Sequence, residues 1–478
     1  MTDLNPMRLG LTLAAAMALP GCVTVGADDR APEPAVPAQW SAAADPRAPD
    51  AAVLAHWWQQ FGDPVLDGLV DDALATSLDL ATAQAQLREA RAQRRVAGAA
   101  LGPAVDASAT AARSTSSEES GSGATRELYS ASFDASWELD LFGGLRRGTE
   151  AAAADVEASV ESLRGTRVSL IAEVVLNYAD LRTAERRRAV TQASVAALAD
   201  NYDLTYWRQQ AGLVSELDAA QARTQLASAR AGLPALDTAV DQAQNRLAVL
   251  VGRTPGELRE RLATTAAIPL AASAIAAGIP ADTLRQRPDV RAAERRLAAQ
   301  TARLGQAQAA RYPSLNLSGS IGLEALAIDR LGGSGAATRS LLAGLTAPIF
   351  DSGRIRAAIE VEDAQLEQAR LAYRAAVLAA LEDVENALVA LANTGARRER
   401  LEQAAASARE TLQIAEQRYA SGLIDFLAVL DAQRTLLDLE DQLAAGSGDL
   451  AGAQIRLYKA LGGGWSTATA PEDSRASR

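Results

Sequence analysis

The sequence predicts a mainly α-helical chain with a small β part, built as a duplicated chain with long coiled-coil helices and two β-hairpins. Three observations predict this fold class. Motifs recur at one constant offset, long stretches without proline carry a heptad pattern, and shorter stretches alternate between apolar and polar residues. Alternation with a period of two indicates strands, whereas apolar spacings of three and four indicate helices.

The duplication is visible in two related motifs. "QAGLVSELDAAQAR" contains Gly212, and "SGLIDFLAVLDAQR" contains Gly422, which lies 210 residues later. A constant offset between related motifs is the signature of an internal repeat. We predict a first structural repeat at residues 63–252, a linker and equatorial segment at 253–287, and a second structural repeat at 288–464.

Strict alternation predicts a β-hairpin at about 104–141 and a weaker copy at about 314–350. In "LYSASFDASWELDL" the apolar residues Tyr129, Phe133 and Trp137 alternate with serines and acidic residues. Strands of ~10 residues with an apolar, aromatic side are typical of a transmembrane β-barrel with a wet lumen. The alternative is a soluble sheet with one buried face.

Four strands are too few to form a barrel by themselves. The smallest transmembrane barrels have about eight strands, and an open edge in lipid leaves backbone groups unpaired at a cost of several kcal/mol each. The chain must therefore oligomerise, and three copies would give a 12-stranded barrel, which the helices would continue as an α-barrel into the periplasm.

The helical stretches are unusually long. Apolar residues step by four and three along one of them, at Val377, Leu381, Val384, Leu388 and Leu391. Such spacing is a coiled-coil heptad. The stretch from about Ile355 to Ala420 would measure roughly 100 Å as one continuous helix.

Residues 1–21 are predicted to be a lipoprotein signal peptide. Arg8 precedes the apolar run "LGLTLAAAMALPG", which is too short to span a membrane. "LPGC" resembles a bacterial lipobox, so Cys22 is the expected lipidation site and the mature N-terminus. The alternative is an ordinary signal peptide with an incidental cysteine. Both interpretations take the protein out of the cytoplasm.

The two ends of the mature chain carry little periodicity. Residues 22–62 contain several prolines and are predicted to form an extended N-terminal tether. Residues 465–478 are predicted to be a disordered C-terminal tail.

Composition excludes several function classes. The net charge is −12 and the pI is near 4.9, whereas a nucleic-acid-binding protein carries a basic stripe. The chain has one histidine and one cysteine, too few for a nucleophile–base set or a cysteine metal site. We therefore expect no enzyme activity, no cofactor and no metal site.

Several motifs resemble the outer-membrane factor family of tripartite efflux systems, the TolC and OprM class, and within it the NodT-type outer-membrane lipoproteins. They are the lipobox, the two motifs quoted above, "FGDPVLDGL", "WELDLFGGLRR" and "LRQRPDVRAAERRL". The resemblance implies a trimeric channel, anchored by lipid in the outer membrane, that conducts drugs or metal ions passively from periplasm to exterior. It also implies a periplasmic membrane-fusion adaptor and an inner-membrane pump of the RND type as partners.

Two other functions remain open from sequence. The same fold could serve as the outer-membrane channel of a type I protein-secretion system. A periplasmic coiled-coil scaffold without a pore is a further alternative, although the β-hairpins count against it.

Each repeat is expected to end in a helical hairpin tip, at about 208–218 and about 419–434. Gly212 and Gly422 are expected to end one helix of each hairpin, because glycine readily adopts the left-handed conformation. Where some family members carry a base two residues after this glycine, the second hairpin has Ile424.

The resemblance also implies a gate at these tips. By resemblance, Leu427 matches an apolar constriction, Asp431 an acidic ring and Arg434 a residue that locks neighbouring helices. Tyr419 and Asp218 match a phenol–carboxylate pair that links the two hairpins. The alternative for Asp431 and Arg434 is an exposed pair that merely stabilises its own helix.

Overall fold

The computed structural model describes residues 24–28, 36–42, 47, 50–271 and 275–466. Cys22 and the predicted signal peptide lie outside the described residues.

Long helices make up most of the described chain. In chain order the helices are α1 (Ala51–Ala55), α2 (Pro64–Thr76), α3 (Leu78–Ala99), α4 (Gly144–Gln210), α5 (Glu216–Leu250), α6 (Arg259–Leu262), α7 (Pro280–Gln286), α8 (Pro288–Ala309), α9 (Arg354–Ala420) and α10 (Phe426–Ala460). The strands are β1 (Ala104–Thr115), β2 (Thr125–Leu139), β3 (Ser314–Ala325) and β4 (Ala337–Thr346). Short 3-10 helices lie at Trp57–Phe61 and Ile328–Arg330. Among the described residues, no helix is both long and apolar enough to cross a membrane.

The predicted duplication is present in the structure at the predicted offset. Helices α4 and α9 each have 67 residues, and they begin at Gly144 and Arg354, which are 210 residues apart. Helices α5 and α10 each have 35 residues and begin at the same offset. The copies differ in their second strands, since β2 has 15 residues and β4 has 10. The predicted fold class is confirmed.

By its internal contacts the chain forms two compact units. The first, the sheet unit, comprises the described residues within Met1–Glu33, Gln86–Val160 and Ala292–Arg374. The second, the helical unit, comprises the described residues within Pro34–Ala85, Glu161–Arg291 and Ala375–Arg478. Each predicted repeat contributes residues to both units.

The sheet unit contains one antiparallel sheet with the strand order β1-β2-β3-β4. Phe133 pairs with Ala107 on β1 and with Ile321 on β3, so these residues lie on the same side of the sheet. We call this side the apolar face, because it also carries Trp137 and Leu341. Phe133 is 60% exposed and Leu341 is 87% exposed. The opposite side, the polar face, carries serines and carboxylates.

A buried arginine holds the first described segment, residues 24–28, in the sheet unit. The Arg147 side chain is 4% exposed. It donates hydrogen bonds to the carbonyl oxygens of Val25 at 3.1 Å and Gly26 at 3.0 Å. Gly26 has a φ of 96°, and a Cβ there would lie 2.6 Å from the Cα of Gly305. Only glycine fits this crossing without strain.

The helical unit has a hydrophobic core that follows the predicted heptad. Val377, Val384 and Leu388 are 4%, 0% and 6% exposed, and Leu381 and Leu391 pack against the same core as partly buried residues. The heptad pattern of "VLAALEDVENALVAL" is therefore a packing pattern in the folded chain.

The prediction of an extended tether is wrong for its last part. Residues 51–61 form α1 and a 3-10 helix. The side chain of Asp50 caps α1 by accepting a hydrogen bond from the Ala52 nitrogen at 2.9 Å. Trp57 and Trp58 are 0% and 2% exposed, and Trp57 stacks on Tyr458 at 5.0 Å between ring centroids. Burial of two tryptophans fixes a segment whose local sequence predicts no element.

The prediction of a disordered tail is wrong at its first residue. The ring of Trp465 lies under two guanidinium groups, with Arg164 at 4.5 Å and Arg291 at 5.6 Å from the ring centroid. Both distances are within the range of cation–π attraction. Residues 467–478 lie outside the described residues.

The motif "LRQRPDVRAAERRL" is organised around the buried side chain of Arg287. Its guanidinium donates to Asp289 at 2.7 Å, to Asp383 at 2.8 Å and to the Ala460 carbonyl oxygen at 3.0 Å. Burial alone would raise the pKa of Asp289, but the hydrogen bonds and charge of Arg287 outweigh burial and hold this pKa below its usual value. Arg287 thus joins the start of α8 to α9 and to the end of α10.

The motif "FGDPVLDGL" begins helix α2. Asp63 is the N-cap, and its Oδ1 accepts hydrogen bonds from the nitrogens of Val65 at 2.9 Å and Leu66 at 3.3 Å. Pro64 occupies the first helical turn, where its fixed φ is favourable. The other carboxylate oxygen accepts a hydrogen bond from the Tyr178 hydroxyl. One aspartate therefore starts α2 and attaches it to α4.

Candidate gate at the helical hairpin tips

The two helical hairpins of the helical unit turn in the same way. Gly212 and Gly422 each have a φ of 73°. In the first turn, the Gly212 nitrogen donates to the Gln209 carbonyl oxygen at 2.9 Å, and the Leu213 nitrogen donates to the Arg208 carbonyl oxygen at 2.8 Å. These two bonds form a Schellman motif, which requires a left-handed residue at the position of the glycine.

Each return helix begins with a side-chain cap. In the first hairpin, the Ser215 hydroxyl accepts a hydrogen bond from the Asp218 nitrogen at 3.2 Å, and the Asp218 carboxylate accepts one from the Ser215 nitrogen at 2.9 Å. This reciprocal pair is a capping box. In the second hairpin, Asp425 accepts a hydrogen bond from the Ala428 nitrogen at 3.2 Å.

An apolar cluster packs the two hairpins together. Its buried members are Ala222, Ala415, Phe426, Val429, Leu430 and Ala432. Ile424 and Tyr419 pack against this cluster as partly buried residues. At position 424, the chain therefore supplies apolar packing instead of the base that some family members carry.

Tyr419 and Asp218, which were expected to form a pair, have other partners in the structure. The Asp218 carboxylate is engaged in the capping box described above. The Tyr419 ring lies 5.3 Å from the ring of Phe426, and the guanidinium of Arg208 lies 5.1 Å from the Tyr419 ring centroid. A cation–π contact between Arg208 and Tyr419 therefore links the hairpins where the resemblance implied a phenol–carboxylate bond.

The three other predicted gate residues lie on one exposed face of α10. Leu427 is 45% exposed, and Asp431 and Arg434 are also exposed. Their spacing of four and three places them along one side of the helix. Within the described chain, no ion pair joins Asp431 to Arg434. Their side chains are therefore available to groups outside the protomer.

The first hairpin presents a neutral face at the equivalent positions. Leu217 corresponds to Leu427 and is 64% exposed. Gln221 and Thr224 stand where the second hairpin has the aspartate and the arginine. The two hairpins therefore share a backbone but differ in charge on this face.

Sequence reasoning missed Arg208. The signal was present, because both Arg208 and Arg418 lie in the last turn before their hairpin glycine. Only the second hairpin has an aromatic residue after its arginine, Tyr419, whereas the first has Gln209. The contact joins residues from the two different hairpins, so only the fold reveals it.

Among the described residues, no group of three or more histidine, cysteine, aspartate or glutamate side chains could hold a metal ion.

Comparison with known proteins agrees with this architecture. The sequence profile of the outer membrane efflux protein family matches residues 69–253 and 279–463. The pyoverdine export outer membrane protein OpmQ of Pseudomonas putida is 35% identical over 416 residues, which are 85% of this chain and 88% of OpmQ. Nodulation protein T of Rhizobium leguminosarum bv. trifolii is 32% identical over 453 residues, which are 94% of this chain and 95% of that protein.

A solved structure extends the likeness to the fold. The outer-membrane channel OprN matches with a TM-score of 0.87 at 35% identity, over 92% of this chain and 99% of OprN. The resemblance that the sequence motifs indicated is thereby confirmed. The chain belongs to the outer membrane efflux protein family.

Proposed function

We propose that the protein is the outer-membrane channel of a tripartite efflux system, through which small toxic molecules pass passively out of the cell. The observation that carries this proposal is the four-stranded sheet with two open edges, attached to long paired helices. Within the described chain, β1 and β4 each have one partner strand. In lipid, both free edges must be paired by other copies.

Three copies satisfy this requirement. Together they supply a 12-stranded barrel, within the known range for transmembrane barrels, which starts at about eight strands. The apolar face, with Phe133 and Trp137, would then meet lipid, and the polar face would line a wet lumen. A homotrimer also brings six helical hairpins together at the periplasmic tip, enough to narrow the tunnel to an iris.

The exposed face of α10 is the proposed gate. In a trimer, Leu427 supplies an apolar constriction, Asp431 an acidic ring and Arg434 a cation that holds neighbouring helices together. An acidic ring between low-dielectric walls focuses its field and favours cations. The exposure of these side chains and their lack of ion pairs within the described protomer support this role.

Cys22 is the proposed lipid anchor in the outer membrane. Only one residue, Val23, separates it from Thr24, the first residue of the segment that Arg147 holds against the sheet unit. Cys22→Ser should abolish acyl labelling. If labelling persisted in that variant, the anchor would have to be elsewhere.

The partners we propose are a periplasmic membrane-fusion adaptor and an inner-membrane pump, of the RND type. A passive channel supplies no energy, so directional efflux needs a pump. The relative OpmQ is named for pyoverdine export, which favours small-molecule cargo over the secreted proteins of a type I system.

The channel function is tested by conductance. The purified trimer should form pores in planar bilayers, and deletion of its gene should raise the intracellular accumulation of toxic small molecules. Asp431→Ala should weaken cation selectivity and block by divalent ions, and Arg434→Ala should raise conductance. Gln221→Ala and Thr224→Ala, at the equivalent positions of the first hairpin, are the matched controls. A trimer that never conducts would refute the proposal.

A further inference from the structure

The four strands separate their charges between the two faces of the sheet. The pairing register places Asp106 opposite Asp134, and both lie on the polar face with Glu138, Glu324 and a single base, Arg126. The apolar face carries Arg113, Arg339 and a single acid, Glu127. The face proposed to meet lipid is therefore the more basic one, although its other residues are mostly apolar.

Arg339 is the least expected residue on the apolar face. It pairs with Ile321, which pairs with Phe133, so an arginine shares a row with two large apolar side chains. It is exposed, and no acidic partner contacts it in the described chain. A charged group on a lipid-facing surface is unfavourable unless it reaches the interface or finds a counter-ion.

Arg113 lies near the loop end of the same face. It pairs across the strands with Glu127, and their side chains lie 3.7 Å apart while 72% and 43% exposed. An exposed ion pair of this kind is weak. The guanidinium has five N–H donors, so Arg113 retains free donors for an external anion.

Both arginines lie toward the end of the sheet that carries the hairpin loops. Arg339 is the third residue of β4, which follows the loop after β3, and Arg113 is the third residue from the end of β1, which precedes the other loop. The opposite strand ends continue into the helices. In the proposed orientation, with periplasmic helices, the loop end faces the outer leaflet.

The two arginines lie on the two edge strands. The strand order β1-β2-β3-β4 leaves β4 and β1 at opposite edges, so closing a barrel from several copies joins β4 of one copy to β1 of the next. This step rests on the proposed trimer. The strands that carry Arg339 and Arg113 then become neighbours at each boundary between protomers.

We propose that Arg339 of one protomer and Arg113 of the next bind a phosphate group of a phosphorylated lipid headgroup in the outer leaflet. Guanidinium groups bind phosphate with paired, charge-assisted hydrogen bonds. A bound phosphate supplies the counter-charge that Arg339 lacks in the described protomer. A lipid whose acyl chains lie against Phe133 and Ile321 presents its headgroup toward the loop end, where the arginines are.

The test is equilibrium binding of diphosphorylated lipid A to the full-length trimer in zwitterionic nanodiscs. Arg339→Gln and Arg113→Gln should each weaken binding about fivefold, the effect of one basic side chain near anionic lipid. Arg339→Lys, which keeps the charge, should retain most of the binding. Arg126→Gln, which removes an arginine from the polar face two residues from the end of the hairpin loop, is the matched control and should bind like the wild type.

Further measurements separate the sources of phosphate and the two proposals. Dephosphorylated lipid A should bind weakly to every variant, and millimolar inorganic phosphate should compete poorly, because it lacks acyl chains. An equal loss of lipid A binding in all three glutamine variants, or unchanged lipid A binding in Arg339→Gln, would overturn the inference. Efficient competition by inorganic phosphate would assign the site to the free anion and overturn the lipid assignment. The conductance of the same purified variants in planar bilayers should be unchanged, so a failure of this inference is distinguishable from a failure of the channel function.

Discussion

The contact between Arg208 and Tyr419 is expected to hold the two hairpins of each protomer in the closed arrangement. Its distance of 5.1 Å from the guanidinium carbon to the ring centroid lies within the ~6 Å limit of cation–π attraction. Arg208→Gln removes the cation and keeps a polar side chain of similar length. We expect this variant to shift the tip toward an open state.

The size of the shift follows from the burial of the pair. Both side chains are partly buried, so the contact is worth about 1 kcal/mol, between the values for exposed and desolvated pairs. In the proposed trimer three such contacts break together if the tip opens as one unit, at a total of about 3 kcal/mol. Since 1.4 kcal/mol is a factor of ten, the open-to-closed ratio should rise about 100-fold.

Single-channel recording in planar bilayers measures this ratio as the open probability. The matched control is Arg418→Gln, at the equivalent position of the second hairpin. The Arg418 carbonyl oxygen accepts from the Leu423 nitrogen at 2.9 Å, as Arg208 does from Leu213, and its backbone role survives the substitution. This control should change the open probability much less, because the residue corresponding to Tyr419 in the first hairpin is Gln209.

Equal changes in the two variants would refute the reasoning. They would mean that each arginine acts only through its charge at a helix C-terminus, an effect of about 0.3–1 kcal/mol. A double-mutant cycle provides a second test. Tyr419→Leu should open the channel as Arg208→Gln does, and the double variant should add little to either, since both substitutions remove the same contact.

Three other predictions concern the barrel, the hairpin turn and acid stability. Phe133→Arg should destabilise the inserted barrel by about 2–4 kcal/mol if the residue lies near the bilayer midplane, and so reduce the yield of inserted trimer, whereas Asp134→Arg should be tolerated. An equal loss of inserted trimer in both variants would count against a lipid-facing Phe133. Gly422→Ala should destabilise the turn by about 1 kcal/mol, because the left-handed backbone disfavours a Cβ, whereas Gly395→Ala within α9 should stabilise the helix in thermal unfolding. Because the pKa of Asp289 is lower in the folded state, ionised Asp289 contributes stability that is fully present above the ordinary carboxyl pKa. This stability is lost as the pH falls through the lower folded pKa. Asp289→Asn should therefore make stability depend less on pH in that window.

The fold was predictable because its signals are local and occur twice. The heptad from Val377 to Leu391, the alternation around Phe133 and the two hairpin glycines each depend on residues close in sequence. The hairpin glycines and the alternating strands also have counterparts at the offset of 210 residues between Gly212 and Gly422. The repeat made weak patterns such as that of β4 interpretable, because a short apolar stretch taken alone can belong to either a strand or a helix.

The features that sequence reasoning missed depend on contacts between distant residues. Trp57 is ordered by stacking on Tyr458, which follows it by about four hundred residues, and Tyr419 meets Arg208 from the other hairpin. Neither partner can be identified from local pattern or propensity. The same limit explains Arg147, whose buried guanidinium binds backbone carbonyl oxygens that have no sequence signature.

The duplication also separates what the hairpin backbone requires from what the gate requires. Both turns have the same left-handed glycine, the same Schellman bonds and an N-cap side chain, although Ser215 provides it in one and Asp425 in the other. These shared features are the conditions for reversing the helix, so they carry no information about the gate. The charges at Asp431 and Arg434 have no counterpart in the first hairpin and no ion-pair partner within the described protomer. A helix-stabilising role would be served equally in both copies, so a charge pair confined to one hairpin favours a role between protomers.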